Sequence, residues 1–213
     1  MIQLNLLLIL MIILLSILSL HSLESELFIN HKLDVSQYNI SSSNYEIPFD
    51  YPLFKQCDNT WGPDLMVTKT ICDVGCLMSS TSMAINGVDI LINNNQSNPQ
   101  QLNNWCKVTQ NCYDDSNDLN EGVVQLIDPT RIFWNDNTSM HRTNDLSFET
   151  IITYLQKGRV VIANVNDGHH FVLITGYSLS GQNTYYVNDP GYDRNTYTYS
   201  EVVGYRIFDM IRV

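Results

Sequence analysis

Three short stretches of the sequence contain residue types that can carry out nucleophilic chemistry. The first is Cys76, which follows Gly75 at the start of a run of small and apolar residues that predicts a short helix. A thiol at a helix N-terminus lies near unpaired backbone N–H groups and the positive end of the helix dipole, and both favour the nucleophilic thiolate. A buried half-cystine would give the same pattern, so a catalytic interpretation also needs a histidine elsewhere.

The other two stretches lie at the ends of predicted strands. His169 and His170 directly precede an apolar run, and histidine is a natural general base because its pKa lies near neutral pH. Since strand side chains alternate between faces, only one of the two can face a given site, and position alone does not decide which. A surface or zinc-binding pair also stays open. Asp189, at the end of the next predicted strand, can orient an imidazole, although Asn-Asp before proline is equally common in turns.

The elements that must position these residues begin with a mostly helical half. The first helix starts at Cys76, and Asn86-Gly87 predicts its end because both residues tolerate a left-handed turn. A second helix is predicted after Asn98-Pro99, where a cap residue precedes proline. Its expected buried face consists of residues three apart, namely Leu102, Trp105 and Val108. A third helix is predicted from Ser147 through Lys157.

The second half of the chain is rich in β-branched and aromatic runs that predict strands. A further strand is predicted near residues 131–134. The main runs are Val160–Val165, Phe171–Tyr177, Thr184–Asn188 and Tyr205–Val213. Turn residues join neighbouring runs, which predicts antiparallel pairing. A helical lobe followed by an antiparallel sheet lobe is an α+β arrangement.

Length and charge restrict the classes of function. The chain has 213 residues, enough for one domain with a substantial core or for two small lobes around a cleft. Its net charge of −11 and its pI near 4.6 leave no basic stripe for phosphates, so we expect no nucleic-acid partner.

The N-terminal sequence predicts entry into the secretory route. Residues 6–20 form an apolar run whose length fits a signal peptide better than a membrane-spanning helix, although an uncleaved anchor stays an alternative. We expect a signal peptide over residues 1–22, a linker or short arm over 23–51 and a folded domain over 52–213. The mature protein is then secreted or endolysosomal, without stable membrane association. Asn39, Asn95 and Asn137 head glycosylation sequons.

The cysteine count is odd, which leaves at least one thiol unpaired within the chain. The five cysteines allow 15 arrangements with two disulfides, and the sequence cannot select among them. We favour the pairs Cys57–Cys72 and Cys106–Cys112 because each closes a short loop. This pairing leaves Cys76 free, and a free thiol in a secreted protein is either reactive or bound to another chain.

Together, these stretches resemble papain-like cysteine peptidases, and most closely the bacteriocin-processing (double-glycine) peptidase-like family in its small single-domain form. The matching segments are Gln56-Cys57-Asp58, Trp61-Gly62, Thr70-Ile71, Gly75-Cys76, His170-Phe171-Val172-Leu173-Ile174-Thr175-Gly176-Tyr177 and Val187-Asn188-Asp189-Pro190. The chain departs from the commoner family pattern Gly-Cys-Gly-Pro-Thr, because Leu77-Met78-Ser79 follow Cys76. This departure changes the rim of the cleft.

The resemblance implies a papain-like α+β fold and a cysteine-type hydrolase that acts on a peptide or amide substrate. It implies Cys76 as nucleophile, His170 as base, Asp189 as the acid that orients it and Gln56 as oxyanion donor. It favours His170 over His169, because the family histidine directly precedes Phe-Val. No cofactor and no metal are implied, and we expect a monomer.

Two other classes of function remain open at this point. One is a catalytically inactive, disulfide-stapled binding module that kept the fold. The other is a zinc site formed by Cys72, Cys76 and the histidine pair, since their C-x₃-C spacing lies within the range of zinc ligands.

Overall fold

The computed structural model describes residues 44–47 and 49–212. Its first half is mainly helical, as the sequence predicts, and each long helix begins at a residue that suits a helix start. Asn98 accepts a hydrogen bond from the Gln101 amide, and Ser147 accepts one from the Thr150 amide. The helices are α1 (Ile71–Val74), α2 (Cys76–Gly87), α3 (Pro99–Val108), α4 (Glu121–Val124), α5 (Asp136–Ser139) and α6 (Phe148–Gln156).

Most of the strands form one antiparallel sheet in the order β4-β10-β6-β7-β8-β9, with β1 paired to β7 and β5 to β10. β2 and β3 pair separately. The strands are β1 (Asn44–Glu46), β2 (Leu91–Ile92), β3 (Asn95–Gln96), β4 (Ile132–Phe133), β5 (Met140–His141), β6 (Val160–Val165), β7 (His170–Ser178), β8 (Thr184–Asn188), β9 (Thr196–Thr198) and β10 (Gly204–Met210). The predicted α+β class is confirmed.

The core lies where α2 packs on β7. α2 is buried around most of its circumference, so it shows little of the amphipathic pattern that marks a surface helix. Even its small polar residues are enclosed, and the Ser80 hydroxyl donates to the carbonyl of Phe171 on β7. The helix that begins at Cys76 is therefore fixed directly against the strand that begins at His170.

The end of α2 lies where the sequence predicts it, but the predicted reason is wrong. Gly87 is still helical, and the left-handed conformation is taken by Asp89, whose φ is 57°. Glycine is needed at position 87 because a Cβ atom there would overlap the ring of Tyr51. Arg131 then donates to the carbonyls of Val88 and Asp89 just beyond the helix.

The predicted apolar face of α3 needs a correction. Leu102 is fully buried, but Val108 is 83% exposed and Cys106 occupies the buried side instead. Helix geometry explains the difference: Cys106 is four residues from Leu102 and shares its side of the helix, whereas Val108 is six residues away and lies about 120° around the axis.

The part of the predicted linker that the structure describes contains a short strand. β1 pairs with β7 in the register Asn44↔Ser178 to Glu46↔Gly176, and the Ile47 amide continues it to Thr175. The predicted signal peptide, the first part of the linker and Asn39 lie outside the described residues, and the domain division stays a prediction. No helix within the described ranges has the length and apolar character needed to span a membrane.

Candidate active site

Cys76 begins α2 because the helical conformation is interrupted at Gly75, which separates α1 from α2. Thr70 caps α1, where its hydroxyl accepts from the Asp73 amide and the Asp73 carboxylate accepts from Thr70 in return. A Cβ atom at Gly75 would lie 2.5 Å from the Ile71 carbonyl oxygen, so only glycine allows this close approach. Cys76 carries a free, partly exposed thiol at the first position of a 12-residue helix.

His170 is the first residue of β7 and is only 4% exposed. A left-handed turn at residues 166–168 precedes it, and His169, which follows that turn, is exposed. The Nε2 atom of His170 lies 2.7 Å from Oδ1 of Asp189, and the Cys76 thiol lies near enough to the ring to help raise the pKa of His170. Of the two histidines, His170 is the one that pairs with the acid and whose pKa responds to the Cys76 thiol.

Asp189 is held by hydrogen bonds on both carboxylate oxygens. Oδ1 accepts from the backbone amides of Gly191 at 2.8 Å and Tyr192 at 2.9 Å, in addition to His170. Oδ2 accepts from the Tyr197 hydroxyl at 2.9 Å. Burial raises the pKa of Asp189, but the hydrogen bonds from His170 and the two amides outweigh it and hold the pKa below its ordinary value.

The electrostatics of His170 follow from the same contacts. Burial lowers the pKa of its imidazole, but the hydrogen bonds to Asp189 and Cys76 and the charges of these residues outweigh it. They raise the pKa from 6.5 to about 9. The imidazolium form is therefore favoured at neutral pH, between a carboxylate on one side and a thiol on the other.

The loop of residues 189–193 forms one side of the site, and Lys55 holds it. The Lys55 ammonium donates to the carbonyls of Asp189 at 3.1 Å and Tyr192 at 2.5 Å. A Cβ atom at Gly191 would lie 2.8 Å from Cε1 of His170, so a side chain there would push the imidazole out of place. The Tyr192 ring packs edge-on to the imidazole with centroids 4.9 Å apart, although Tyr192 is itself 56% exposed.

Gln56 lies beside this loop and next to the first disulfide. Its backbone amide donates to the Pro190 carbonyl, and its side-chain Nε2 donates to the Cys72 carbonyl at 2.8 Å. Its Oε1 atom is buried without a hydrogen-bond partner. The disulfide between Cys57 and Cys72 joins the residue after Gln56 to helix α1. Both the amide and the disulfide therefore connect the Gln56 segment to the chain that leads to Cys76.

Comparison with family models bears directly on this arrangement. A model described as the Peptidase_C39 like family matches residues 49–208. The chain belongs to this family. The family predicted from the sequence motifs is thereby confirmed, and it is one of papain-like cysteine peptidases. Comparison with curated proteins and with solved structures gave no significant match.

The structure contains both of the disulfides favoured from the sequence. Cys57 is bonded to Cys72 and Cys106 to Cys112, which are the two pairs favoured from the sequence, and Cys76 is free. The alternative zinc site needs two thiolates, and Cys72 is already engaged in a disulfide. No group of three or more His, Cys, Asp or Glu side chains is placed to hold a metal ion within the described part of the chain.

Sequence reasoning missed three residues around the histidine. Lys55, Tyr192 and Tyr197 contact the Asp189 loop, the imidazole ring and the carboxylate, respectively. Lys55 directly precedes Gln56, so the sequence itself places it next to a family motif. Tyr192 and Tyr197 follow Asp189 closely in the sequence, but tyrosine is frequent in this chain and carries no signal of its own. Their roles depend on how the loop folds back.

Proposed function

We propose that this member of the Peptidase_C39 like family is a cysteine-type hydrolase that cleaves peptide or amide bonds. Cys76 is the nucleophile, His170 its base, Asp189 the residue that orients the base, and Gln56 an oxyanion donor. The observation that supports the proposal is the buried pair of His170 Nε2 and Asp189 Oδ1, 2.7 Å apart, with the free Cys76 thiol at the start of α2 near enough to influence the His170 pKa. A base that is oriented by an acid beside a free thiol is the arrangement that activates a nucleophile.

Acylation starts from a thiolate and an imidazolium. The Cys76 sulfur attacks the substrate carbonyl carbon, a C–S bond forms, and the carbonyl π electrons move to the oxygen. When this oxyanion collapses, the C–N bond breaks and His170 gives its proton to the leaving amine. The pKa of about 9 for His170 supports this step, because the imidazolium is present at neutral pH.

Deacylation uses the same residues in reverse. The neutral imidazole removes a proton from water, the resulting hydroxide attacks the thioester carbon, and the C–S bond breaks to release the acid. Cys76 leaves as a thiolate and His170 keeps the proton, so the starting ion pair is restored. Asp189 stabilises the imidazolium and fixes its ring orientation throughout, as it accepts from Nε2.

The oxyanion requires donors near the start of α2. Backbone N–H groups of the first turn of a helix lack partners within the helix, so those near Cys76 suit this role. Gln56 is the proposed side-chain donor. One proton of its Nε2 amide is used by the Cys72 carbonyl, and an amide nitrogen carries a second. The contact with Cys72 thus orients the amide and leaves one proton for the substrate oxygen.

The proposed location of the mature protein is extracellular or endolysosomal. Two disulfides support it, since such bonds persist in oxidising compartments. Asn95 and Asn137 are exposed, as glycosylation of these sequons would require.

The proposed activity is tested with a mixed peptide library and mass spectrometry of the products. We expect cleavage by the wild type, none by Cys76→Ala, and cleavage by Cys106→Ser/Cys112→Ser, which alters cysteines remote from the nucleophile. If the wild type cleaves nothing and Cys76 reacts with iodoacetamide no faster than a free cysteine, the protein is an inactive binding module.

A further inference from the structure

We propose that Tyr197 is a positioning residue that acts on His170 through Asp189. The hydrogen bond from its hydroxyl stabilises part of the Asp189 carboxylate charge. Asp189 therefore stabilises the His170 imidazolium less than it would without this hydrogen bond. The inference rests on the proposed function, because it concerns the base of the same site.

Tyr197 reaches Asp189 from the sheet. It is the central residue of β9 and pairs with Tyr185 of β8. Tyr197 is 2% exposed, the Asp189 side chain is fully buried, and the hydroxyl lies 2.9 Å from Oδ2. A hydrogen bond to a buried carboxylate is among the stronger hydrogen bonds in a protein, because the dielectric constant there is low.

Arg194 packs on the face of the Tyr197 ring. The guanidinium of Arg194 lies 3.7 Å from the ring centroid and is paired with the carboxylate of Glu201. Burial and the hydrogen bond to Asp189 raise the pKa of the Tyr197 hydroxyl, so it stays protonated and donates at every working pH. The donor on Oδ2 is therefore a fixed part of the site.

The two carboxylate oxygens have different roles. Oδ1 accepts from Gly191, Tyr192 and His170, and the two backbone amides suffice to keep it on the imidazole. Loss of the Tyr197 hydroxyl would thus leave the geometry of the Asp189–His170 pair in place. What changes is the charge that remains available to the imidazolium.

The direction of the effect follows from competition between donors for one charge. A hydrogen bond to a carboxylate is strongest when no nearby cation neutralises the carboxylate charge. The Tyr197 hydroxyl therefore stabilises Asp189 most when His170 is neutral. Removing the hydroxyl destabilises this neutral state more than the charged one, and the pKa of His170 should rise. The native tyrosine thereby brings the pKa of His170 closer to neutral pH, where general acid–base catalysis is most effective.

Other groups around the imidazole are unchanged by a substitution at Tyr197. Cys76 faces it from α2, the Tyr192 ring from the loop, and Lys55 holds that loop by its carbonyls. Asp167 and His169 lie on the exposed turn before β7. None of these contacts the Tyr197 hydroxyl, so a change in the His170 titration after its removal reports on Asp189.

The test is an NMR titration of the His170 Cε1 proton, which needs no substrate and no turnover. All proteins carry Cys76→Ala, so that the thiol does not titrate together with the imidazole. We expect Tyr197→Phe to raise the pKa of His170 by about 0.5 or more, and Tyr185→Phe, which removes another buried hydroxyl of the same sheet, to leave it unchanged. With Asp189→Asn also present, Tyr197→Phe should have no further effect.

A second variant keeps the hydroxyl and reverses the sign. Site-specific replacement of Tyr197 by 3-fluorotyrosine makes the phenol a stronger donor, so the pKa of His170 should fall. The proposal is overturned if the Tyr197→Phe titration matches the parent or shifts downward, or if fluorination has no effect. If the wild type with Cys76 intact is inactive but the titrated variants show the expected shifts, the proposed function alone is contradicted. If the wild type is active but the shifts are absent, this inference alone is contradicted.

Discussion

Nε2 of His170 lies 2.7 Å from Oδ1 of Asp189, and both side chains are buried although the two residues are 19 positions apart in the chain. The two residues are not paired in the register of β7 and β8, where Leu173 is the partner of Asn188. It forms because the loop after β8 folds back over the start of β7. The contacts that hold this loop, from Lys55 and from the Gln56 amide, therefore help to set the geometry of the proposed base and its acid.

The assignment of the base predicts different effects for the two neighbouring histidines. His170→Ala should lower the rate of peptide hydrolysis by about 10²–10⁴-fold, the usual contribution of a general base. His169→Ala should leave the rate nearly unchanged, because that side chain is exposed. Steady-state rates of both variants at pH 7 check this, and loss of activity in His169→Ala alone would refute the assignment.

The raised pKa of His170 predicts how stability depends on pH. The folded protein binds this proton more tightly than the unfolded chain, with a pKa of about 9 against an ordinary 6.5. The stabilisation is therefore complete below about pH 6.5 and is lost as the pH rises to 9. Urea midpoints should fall over this range more steeply for the wild type than for His170→Gln, whereas His169→Gln should follow the wild type. Parallel curves for wild type and His170→Gln would contradict the raised pKa.

The role of Gln56 predicts a loss of hydrolysis without a loss of thiol reactivity. Gln56→Ala removes a proposed oxyanion donor, which typically costs about 10²–10³ in rate. Alkylation of Cys76 by iodoacetamide forms no oxyanion, so its rate should stay close to that of the wild type. Gln100→Ala is the matched control, since Gln100 donates to Asp64 away from the histidine. An equal loss of alkylation in Gln56→Ala would mean that the residue acts through the fold.

The two disulfides should differ in their effect on activity. Their cysteines are 15 and 6 residues apart, for which the chain-entropy model predicts stabilisation by about 3 and about 2 kcal/mol. Cys57→Ser/Cys72→Ser releases the segment that carries Gln56 and should also lower kcat about tenfold or more, since small displacements of positioning groups are costly. Cys106→Ser/Cys112→Ser should lower stability only. Urea unfolding and kcat of both double variants give the comparison, and equal kcat values would contradict the prediction.

Local chemistry explains what could be predicted from the sequence. Gly75-Cys76, the Ser147 cap and the β-branched runs act within a few residues, and each element was expected where the structure has it. The family motifs added the fold and the identity of the residues that meet at the site.

What could not be predicted depends on contacts between distant segments. β1 is only three residues long, and its strand conformation depends on its pairing with β7. Tyr197 contacts Asp189 only because β9 returns along β8, so its place at the site has no signature in the local sequence.

The central claim, that Cys76 forms a covalent acyl intermediate, is tested most directly by trapping that intermediate. The protein is mixed with an activated peptide ester, quenched in acid within seconds, and analysed by intact mass and peptide mapping. We predict one acyl adduct on Cys76 that decays as product appears, and neither adduct nor product with Cys76→Ala. Product formation by Cys76→Ala, or an acyl group mapped to another residue, would contradict the account.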